Sequence, residues 1–175
     1  MKLHENIISF DEVQKIVTNK KLKEGDLETF LFPQEGKNIF SFKNKVDINV
    51  NLSEKIKNDK NVFFILASNS TIFGGSNLNI LAIENCRIEV GNNCKIWTDN
   101  NCEVICGSDS EVDCENDCKI TVRKCSKLVS GNDCQISYNG HGGDFEKDIK
   151  SWTIGENNKF FVGPLEYFVN KKSQL

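Results

Sequence analysis

The chain has few of the residues that mark an exported, membrane-bound or nucleic-acid-binding protein. No apolar run approaches the ~20 residues of a membrane-spanning helix, and Lys2, His4 and Glu5 interrupt the apolar core that a signal peptide needs. The 22 basic residues do not exceed the 25 acidic ones, so no excess of positive charge is available to neutralise phosphates. We therefore expect a cytoplasmic protein that binds neither membranes nor nucleic acid.

The composition is that of a mildly acidic protein with one domain. A chain of 175 residues with a net charge of -3 is long enough to bury a core, and its charge does not identify a partner. Two prolines, together with abundant asparagine, lysine and isoleucine, are typical of an AT-rich genome and favour a bacterial or viral source.

The sequence contains a repeat of eight residues, here called an octad. Cysteine or serine recurs at one place of each octad: Cys86, Cys94, Cys102, Ser110, Cys118, Ser126 and Cys134. We call this the ladder place. The preceding residue is Asn or Asp in nearly every octad: Asn69, Asn77, Asn85, Asn93, Asn101, Asp109, Asp117 and Asp133. A fixed repeat this short predicts a β-solenoid.

Each octad is predicted to form one short strand and one corner. The residue two places after the ladder place is apolar, as at Ile88, Ile96 and Val104, and the residue four places after it is apolar or small. Such alternation is typical of a half-buried strand. Asn and Asp tolerate a positive φ, so they suit the corner that follows.

The charged residues indicate how many octads form one coil. The first outward residues of successive octads are Arg87, Lys95, Glu103, Glu111, Lys119 and Lys127. If successive coils are sixteen residues apart, every stacked pair has opposite charges. A spacing of eight would stack Arg87 on Lys95, and a spacing of twenty-four would stack Lys95 on Lys119. We therefore predict a parallel β-solenoid with two octads, about 16 residues, per coil.

Tandem octapeptides that fold into sixteen-residue coils resemble the repeats of bacterial ice-nucleation proteins. The resemblance covers roughly residues 61–138, and it extends to the period only. The outward Thr-x-Thr rows of that family are replaced here by pairs such as Lys95/Trp97. The resemblance thus implies a solenoid fold and does not imply ice binding.

The flanking segments are predicted to close the two ends of the solenoid. Ser9 and Glu12 have capping-box spacing, which predicts a helix near residues 10–20, and the stretches LETFLF and NIFSF alternate as strands. We divide the chain into an N-terminal capping segment (1–45), a solenoid (46–162) with a loop insertion at 139–150, and a C-terminal capping tail (163–175). The tail is expected to be a short helix or an extended arm over the last coil, since an open edge would recruit other chains.

The cysteines are predicted to be core residues and not ligands: seven of the eight occupy inward strand places, and Cys125 alone lies just before one. Five occupy the ladder place as a structural ladder: Cys86, Cys94, Cys102, Cys118 and Cys134. Cys102/Cys106 and Cys114/Cys118 are C-x3-C pairs, whereas structural zinc sites usually use C-x2-C. Buried cysteine packs as a small hydrophobe, and stacked neighbours point alongside one another and not toward each other. We expect free thiols, no metal and no cofactor.

His141 is the most plausible reactive residue. It lies in a glycine-rich stretch near Asp144 and Glu146, either of which could orient its imidazole. An enzyme or small-ligand site beside residues 139–150 is therefore the alternative function, and a mobile surface loop is the simpler interpretation. Acyltransferases built on β-solenoids use a catalytic histidine but have a six-residue repeat, so the octad argues against that reaction.

Three large apolar side chains are predicted on outward places and are candidates for an interaction surface: Phe73, Trp97 and Ile105. With sixteen-residue coils, Leu81, Trp97 and Asp113 share one column and Ile105 belongs to the other, so Trp97 and Ile105 face opposite ways and form no broad patch. The amino-terminal segment is an alternative cover for Trp97. Because the repeat explains nearly every distinctive residue, we favour a non-enzymatic structural or interaction solenoid that presents a rigid surface to a protein partner or self-associates, for example as a homodimer.

Overall fold

The computed structural model describes residues 17–18, 27–32, 37–50, 62–140, 142–162 and 165–168. In these residues the chain is mostly β-strand, with one short α-helix, and the strands form two sheets. Within the repeat region all strand pairs are parallel, from β4 with β6 to β14 with β16. The predicted all-β, parallel solenoid class is confirmed.

One sheet has nine strands and the other has eight. The nine-stranded sheet runs in the order β1 (Val17–Thr18), β4 (Asp47–Val50), β6 (Thr71–Gly74), β8 (Arg87–Glu89), β10 (Glu103–Ile105), β12 (Lys119–Val122), β14 (Gln135–Tyr138), β16 (Lys159–Val162) and β17 (Leu165–Phe168). The eight-stranded sheet runs in the order β15 (Thr153–Ile154), β13 (Cys125–Ser130), β11 (Ser110–Cys114), β9 (Lys95–Thr98), β7 (Asn79–Ala82), β5 (Val62–Leu66), β3 (Lys37–Phe42) and β2 (Leu27–Phe32). The chain alternates between the two sheets through the repeat, so each coil contributes one strand to each.

The strand register confirms a coil of sixteen residues. Glu103 pairs with Arg87 on one side and with Lys119 on the other. In the opposite sheet Glu111 likewise lies between Lys95 and Lys127. These are the neighbours that the charge pattern of the sequence predicts, because like charges a strand spacing apart would repel.

The corners use the left-handed backbone that Asn and Asp tolerate. Nine residues of the described chain other than glycine have a positive φ, between 57° and 66°: Asn69, Asn77, Asn85, Asn93, Asn101, Asp109, Asp117, Asp133 and Asn157. Eight of them are the Asn and Asp residues that precede the ladder place in the repeat, and Asn157 precedes Asn158 in the same phase. Because Asn and Asp adopt this conformation at little energetic cost, they turn the chain at most corners of the repeat.

The core is a narrow double row of side chains between the sheets. Residues two places after the ladder place are all fully enclosed, with Phe64, Ile72, Ile80 and Ile88 at 0% exposure. Outward residues alternate with them along the strands, as in β9, where Lys95 and Trp97 are exposed and Ile96 and Thr98 are buried. The hydrophobic contribution to stability is therefore distributed along the axis and not gathered in one globular core.

Two insertions lengthen a coil without shifting the stack. Asp47 pairs with Thr71, and Gln135 pairs with Lys159, so both offsets are twenty-four residues, the separation also found between Val46 and Ser70. The second insertion lies where it was predicted, at 139–150, but it is not a loop. Gly142–Asp148 form an α-helix, α1, which Ile149–Ser151 continue as a 3-10 turn.

Among the described strands, three of the four sheet ends carry an antiparallel strand, and β15 at the fourth end is parallel to β13. β2 pairs with β3, and β17 pairs with β16, so Leu165–Phe168 of the predicted C-terminal tail form an extended strand and not the short helix that was the alternative. The helix predicted near residues 10–20 is wrong at Val17 and Thr18, which form β1 and pair with β4. Two β-branched residues beside an open edge gain more from its backbone hydrogen bonds than from a helical turn. The rest of that predicted helix lies outside the described residues.

Candidate interaction surface

The outer face of the eight-stranded sheet carries a group of apolar side chains, here called the Trp97 cluster, formed by Phe63, Ile65, Leu81, Ile83 and Trp97. Leu81 is 44% exposed, Ile83 40% and Trp97 36%. Strand pairing places Leu81 directly between Ile65 and Trp97. The side chains therefore form one contiguous patch that extends over three coils.

Two aromatic rings of the cluster lean toward each other across a strand. Phe63 in β5 and Trp97 in β9 are two strand spacings apart, about 10 Å, yet their ring centroids are separated by only 6.3 Å. The planes are inclined by 16°, a stacked arrangement. Asn79, on the strand between them, is 7% exposed although it holds an outward place. The stacked rings give the patch a fixed, wide aromatic surface.

A small pocket adjoins Trp97 on the side of the later coils. Charged and apolar residues line it: Ile96, Trp97, Glu111, Val112, Asp113 and Lys127. Its volume is about 40 Å³, whereas small-molecule sites usually span roughly 300–1,000 Å³. This depression suits the tip of one side chain of a partner and is too small for a substrate of metabolite size.

The opposite sheet presents its apolar residues singly. Phe73 is 38% exposed and stands in its column between Asn49 and Glu89. Ile105 is half-buried between Glu89 and Thr121. The three residues named from the sequence are thus not brought together, since only Trp97 belongs to the cluster. Sequence reasoning did not name Phe63, Ile65 or Ile83, because it considered which face each outward residue occupies and not how side chains of neighbouring columns pack together.

Charged columns border these apolar residues. On the nine-stranded sheet the Glu103 carboxylate bonds to Arg87 at 2.7 Å and to Lys119 at 3.6 Å. On the eight-stranded sheet Lys95 lies 3.4 Å from Glu111. Each pair joins successive coils, so these contacts help to fix the register of the stack.

We expect the Glu103→Lys substitution to lower the free energy of unfolding by about 1–2 kcal/mol, because it exchanges two partly exposed attractions for two repulsions. Denaturant unfolding at low and high salt measures this, and added salt should shrink the loss as it screens the charges. Glu103→Gln removes the attraction without adding repulsion, so its free energy of unfolding should fall by about half as much. A loss that does not depend on salt would contradict the explanation.

The cysteines of the ladder place form hydrogen bonds as well as filling space. The Cys102 thiol donates to the carbonyl oxygen of Ile83 at 3.2 Å, and its sulfur accepts the backbone N–H of Cys86 at 3.4 Å. Four other cysteines donate to the equivalent carbonyl oxygen: Cys86, Cys94, Cys118 and Cys134. In these coils the ladder place therefore suits a small side chain that both donates and accepts, whereas Leu78, at the same place one octad before Cys86, packs as a hydrophobe.

Serine and asparagine meet the same requirement at this place. Ser110 Oγ accepts the backbone N–H of Cys94 at 3.2 Å. Asn158 Oδ1 accepts the N–H of Cys134 at 2.6 Å, while its Nδ2 donates to the carbonyl oxygen of Gly131 at 3.0 Å. The sequence does contain a signal for hydrogen bonding at the ladder place, because Ser replaces Cys there in some octads. An interpretation of the cysteines as purely hydrophobic residues overlooks it.

Seven of the eight cysteines are buried free thiols in the described residues: Cys86, Cys94, Cys102, Cys106, Cys114, Cys118 and Cys134. Burial raises the pKa of the Cys94 thiol above its ordinary value of 9.0. The hydrogen bond with Cys86 and burial raise the pKa of Cys102 as well. Within the ranges that the structure describes, no group of three or more His, Cys, Asp or Glu is arranged to hold a metal ion.

The raised pKa of Cys94 predicts a loss of stability in alkaline solution. Its thiol stays protonated in the folded chain after it has ionised in the unfolded chain, so the contribution is complete below pH 9.0 and is lost as the pH rises above it. The slope from this group is at most about 1.4 kcal/mol per pH unit. Urea unfolding at about pH 8 and about pH 10 measures the free energy of unfolding at each pH. Between these two pH values, this free energy should fall less for Cys94→Ser than for the native chain. An equal difference would remove Cys94 as the cause.

The insertion at 139–150 packs against the solenoid through aromatic contacts. The Phe145 ring of α1 lies 5.3 Å from Tyr138 and 5.9 Å from Trp152, centroid to centroid. The Tyr138 hydroxyl donates to Asp148 Oδ2 at 3.0 Å. Of the candidate reactive residues, Glu146 is exposed on α1, Asp144 lies on the same helix, and His141 lies outside the described residues.

None of the helices in the described part of the chain has the length and apolar character needed to cross a bilayer. Comparisons with protein-family models, with curated proteins and with solved structures gave no match to this chain.

Proposed function

We propose that the protein is a non-enzymatic β-solenoid that presents the outer face of its eight-stranded sheet to a protein partner, which can be another copy of itself. The observation that carries this proposal is the Trp97 cluster. Three of its side chains are between 36% and 44% exposed, and they adjoin one another on the outer face of one sheet. Contiguous exposed apolar surface rimmed by charge is typical of a protein-binding site.

The stiffness of the support favours binding. The strands that carry the cluster, β5, β7 and β9, are each hydrogen bonded on both sides within the sheet. A partner would therefore meet side chains whose backbone is already ordered, and association would cost little further conformational entropy. Aromatic residues such as Trp97 are also those that most often dominate the energy of interfaces.

The buried thiols and the composition bear on where the protein is found. Buried thiols that serve as hydrogen-bond donors favour a reducing compartment, since oxidation would remove those donors. We therefore propose a cytoplasmic location, and the composition favours a bacterial or phage source. The octads account for the cysteines and for most of the charged residues without a catalytic role.

Site-specific photo-crosslinking tests the proposal. A photoreactive amino acid replaces Leu81 in the cluster or, as a matched control, Thr121 on the outer face of the opposite sheet. We expect discrete crosslinked products from position 81, in cells that naturally contain the protein, and few or none from position 121. Equal yields from the two faces, or none from either, would remove the proposed binding face.

A further inference from the structure

We propose that the Trp97 cluster binds a second copy of this chain, with the two eight-stranded sheets face to face and the solenoid axes antiparallel. The inference rests on the proposed function and names its partner. The two-fold axis lies at β7, where Leu81 is the most exposed member of the cluster and stands midway between Ile65 and Trp97. Each chain would then place its apolar residues on those of the other.

The arrangement of the outer face supports an antiparallel pairing. A two-fold axis along the strand direction keeps each column of side chains in place and exchanges earlier coils with later ones. Leu81 then meets Leu81 of the second copy, and Ile83 meets its own equivalent. Ile65, one coil before the axis, meets Trp97, one coil after it. All of these contacts bury apolar surface.

The charged residues also match in this orientation. Lys43 directly follows β3, two strands before the axis, and Glu115 directly follows β11, two strands after it, so the two-fold axis brings them together. Both residues are exposed. Lys95 comes to lie over the Phe63 ring of the second copy, a favourable cation–π position. Asp113 faces Ser41, whose hydroxyl can donate to the carboxylate. No like charges meet among these facing positions.

The parallel alternative brings like charges together. An axis along the solenoid would place Asp113 against Asp113 of the second copy. It would also place Glu111 against Glu115, because the columns are exchanged across the face. Like charges at close range in an interface cost several kcal/mol. The described surface is therefore self-complementary in one orientation and repulsive in the other.

The size of the face predicts a reversible dimer. Five strands about 4.8 Å apart and three columns about 6.6 Å apart cover roughly 20 Å by 15 Å. This footprint is below the ~800 Å² per partner that is usual for stable complexes. We expect self-association with a dissociation constant in the micromolar range.

Sedimentation of the full chain over a concentration series measures the dimer. Leu81→Glu should weaken self-association by at least about 100-fold, since it buries two facing charges at the axis. Thr121→Glu, on the outer face of the other sheet, is the matched control and should leave self-association unchanged. Circular dichroism and the unfolding midpoint of both variants show whether each retains its fold.

A charge exchange tests the orientation. Lys43→Glu and Glu115→Lys should each weaken the dimer, because each puts like charges together twice in the symmetric complex. The double variant restores opposite charges and should recover most of the lost affinity. Additive losses in the double variant would overturn the antiparallel arrangement.

The outcomes separate this inference from the proposed function. A native chain that remains monomeric at every concentration overturns the dimer. Crosslinks from position 81 to a different protein would then still support the binding face. Crosslinks from position 81 to the same chain, together with the charge-exchange result, support both.

Discussion

Phe64→Ala is expected to lower the free energy of unfolding by about 3–5 kcal/mol. Phe64 is fully buried between the two sheets, and its ring stacks on Phe40 with centroids 5.4 Å apart. Its strand, β5, is hydrogen bonded to both neighbours, so the backbone cannot move inward to fill the space that the ring leaves. The substitution therefore forfeits both the transfer energy and the packing contacts, and denaturant unfolding measures the sum.

Phe73→Ala is the matched control for this prediction. The same atoms are removed from a side chain that is 38% exposed on an outer face, so no enclosed cavity results. We expect a loss of about 1 kcal/mol or less. Similar losses for the two variants would show that the space between the sheets is not the main source of stability.

Asn158→Leu is expected to lower the free energy of unfolding by about 3–5 kcal/mol through lost hydrogen bonds alone. Each buried polar group left without a partner costs about 1–3 kcal/mol. The amide of Asn158 satisfies the N–H of Cys134 and the carbonyl oxygens of Gly131 and Gly155. Leucine has a similar volume, so the change in packing is small. Faster hydrogen exchange of the Cys134 amide should accompany the loss of stability measured by unfolding.

Cys102→Ser tests whether the ladder place needs donors and acceptors. Serine occupies the same place at Ser110, where its oxygen accepts a backbone N–H. This variant should lose about 1 kcal/mol or less. If Cys102→Ser were as damaging as Asn158→Leu, the ladder place would depend on the volume of its side chain and not on its hydrogen bonds.

The repeat allowed most of the fold to be predicted because each of its places has a local physical reason. Asn and Asp turn the corners through a positive φ, which few other side chains tolerate. Alternation assigns the inward side chains, such as Ile88 and Val104, since a strand turns successive residues to opposite faces. Opposite charges at Arg87 and Glu103 then select the coil length, because the stacking distance is short enough for charges to interact.

Segments without the repeat could not be assigned from the sequence. The pattern at residues 139–150 indicated an insertion, but the contacts of Phe145 with Tyr138 and Trp152 hold it as a helix. Val17 and Thr18 form a strand because the edge of β4 lies beside them. Both outcomes depend on residues distant in the sequence, and local propensity contains no information about them.

The candidate site shows the same division. The sequence by itself determined that Trp97 points outward, that it shares a column with Leu81, and that it faces away from Ile105. Only the tertiary structure decided that Phe63 leans toward Trp97 and that Ile83 joins them at the corner. The period fixes which face a side chain occupies, because that follows from the backbone alone. How neighbouring side chains pack on that face depends on their shapes and on the coils that flank them, which no single octad contains.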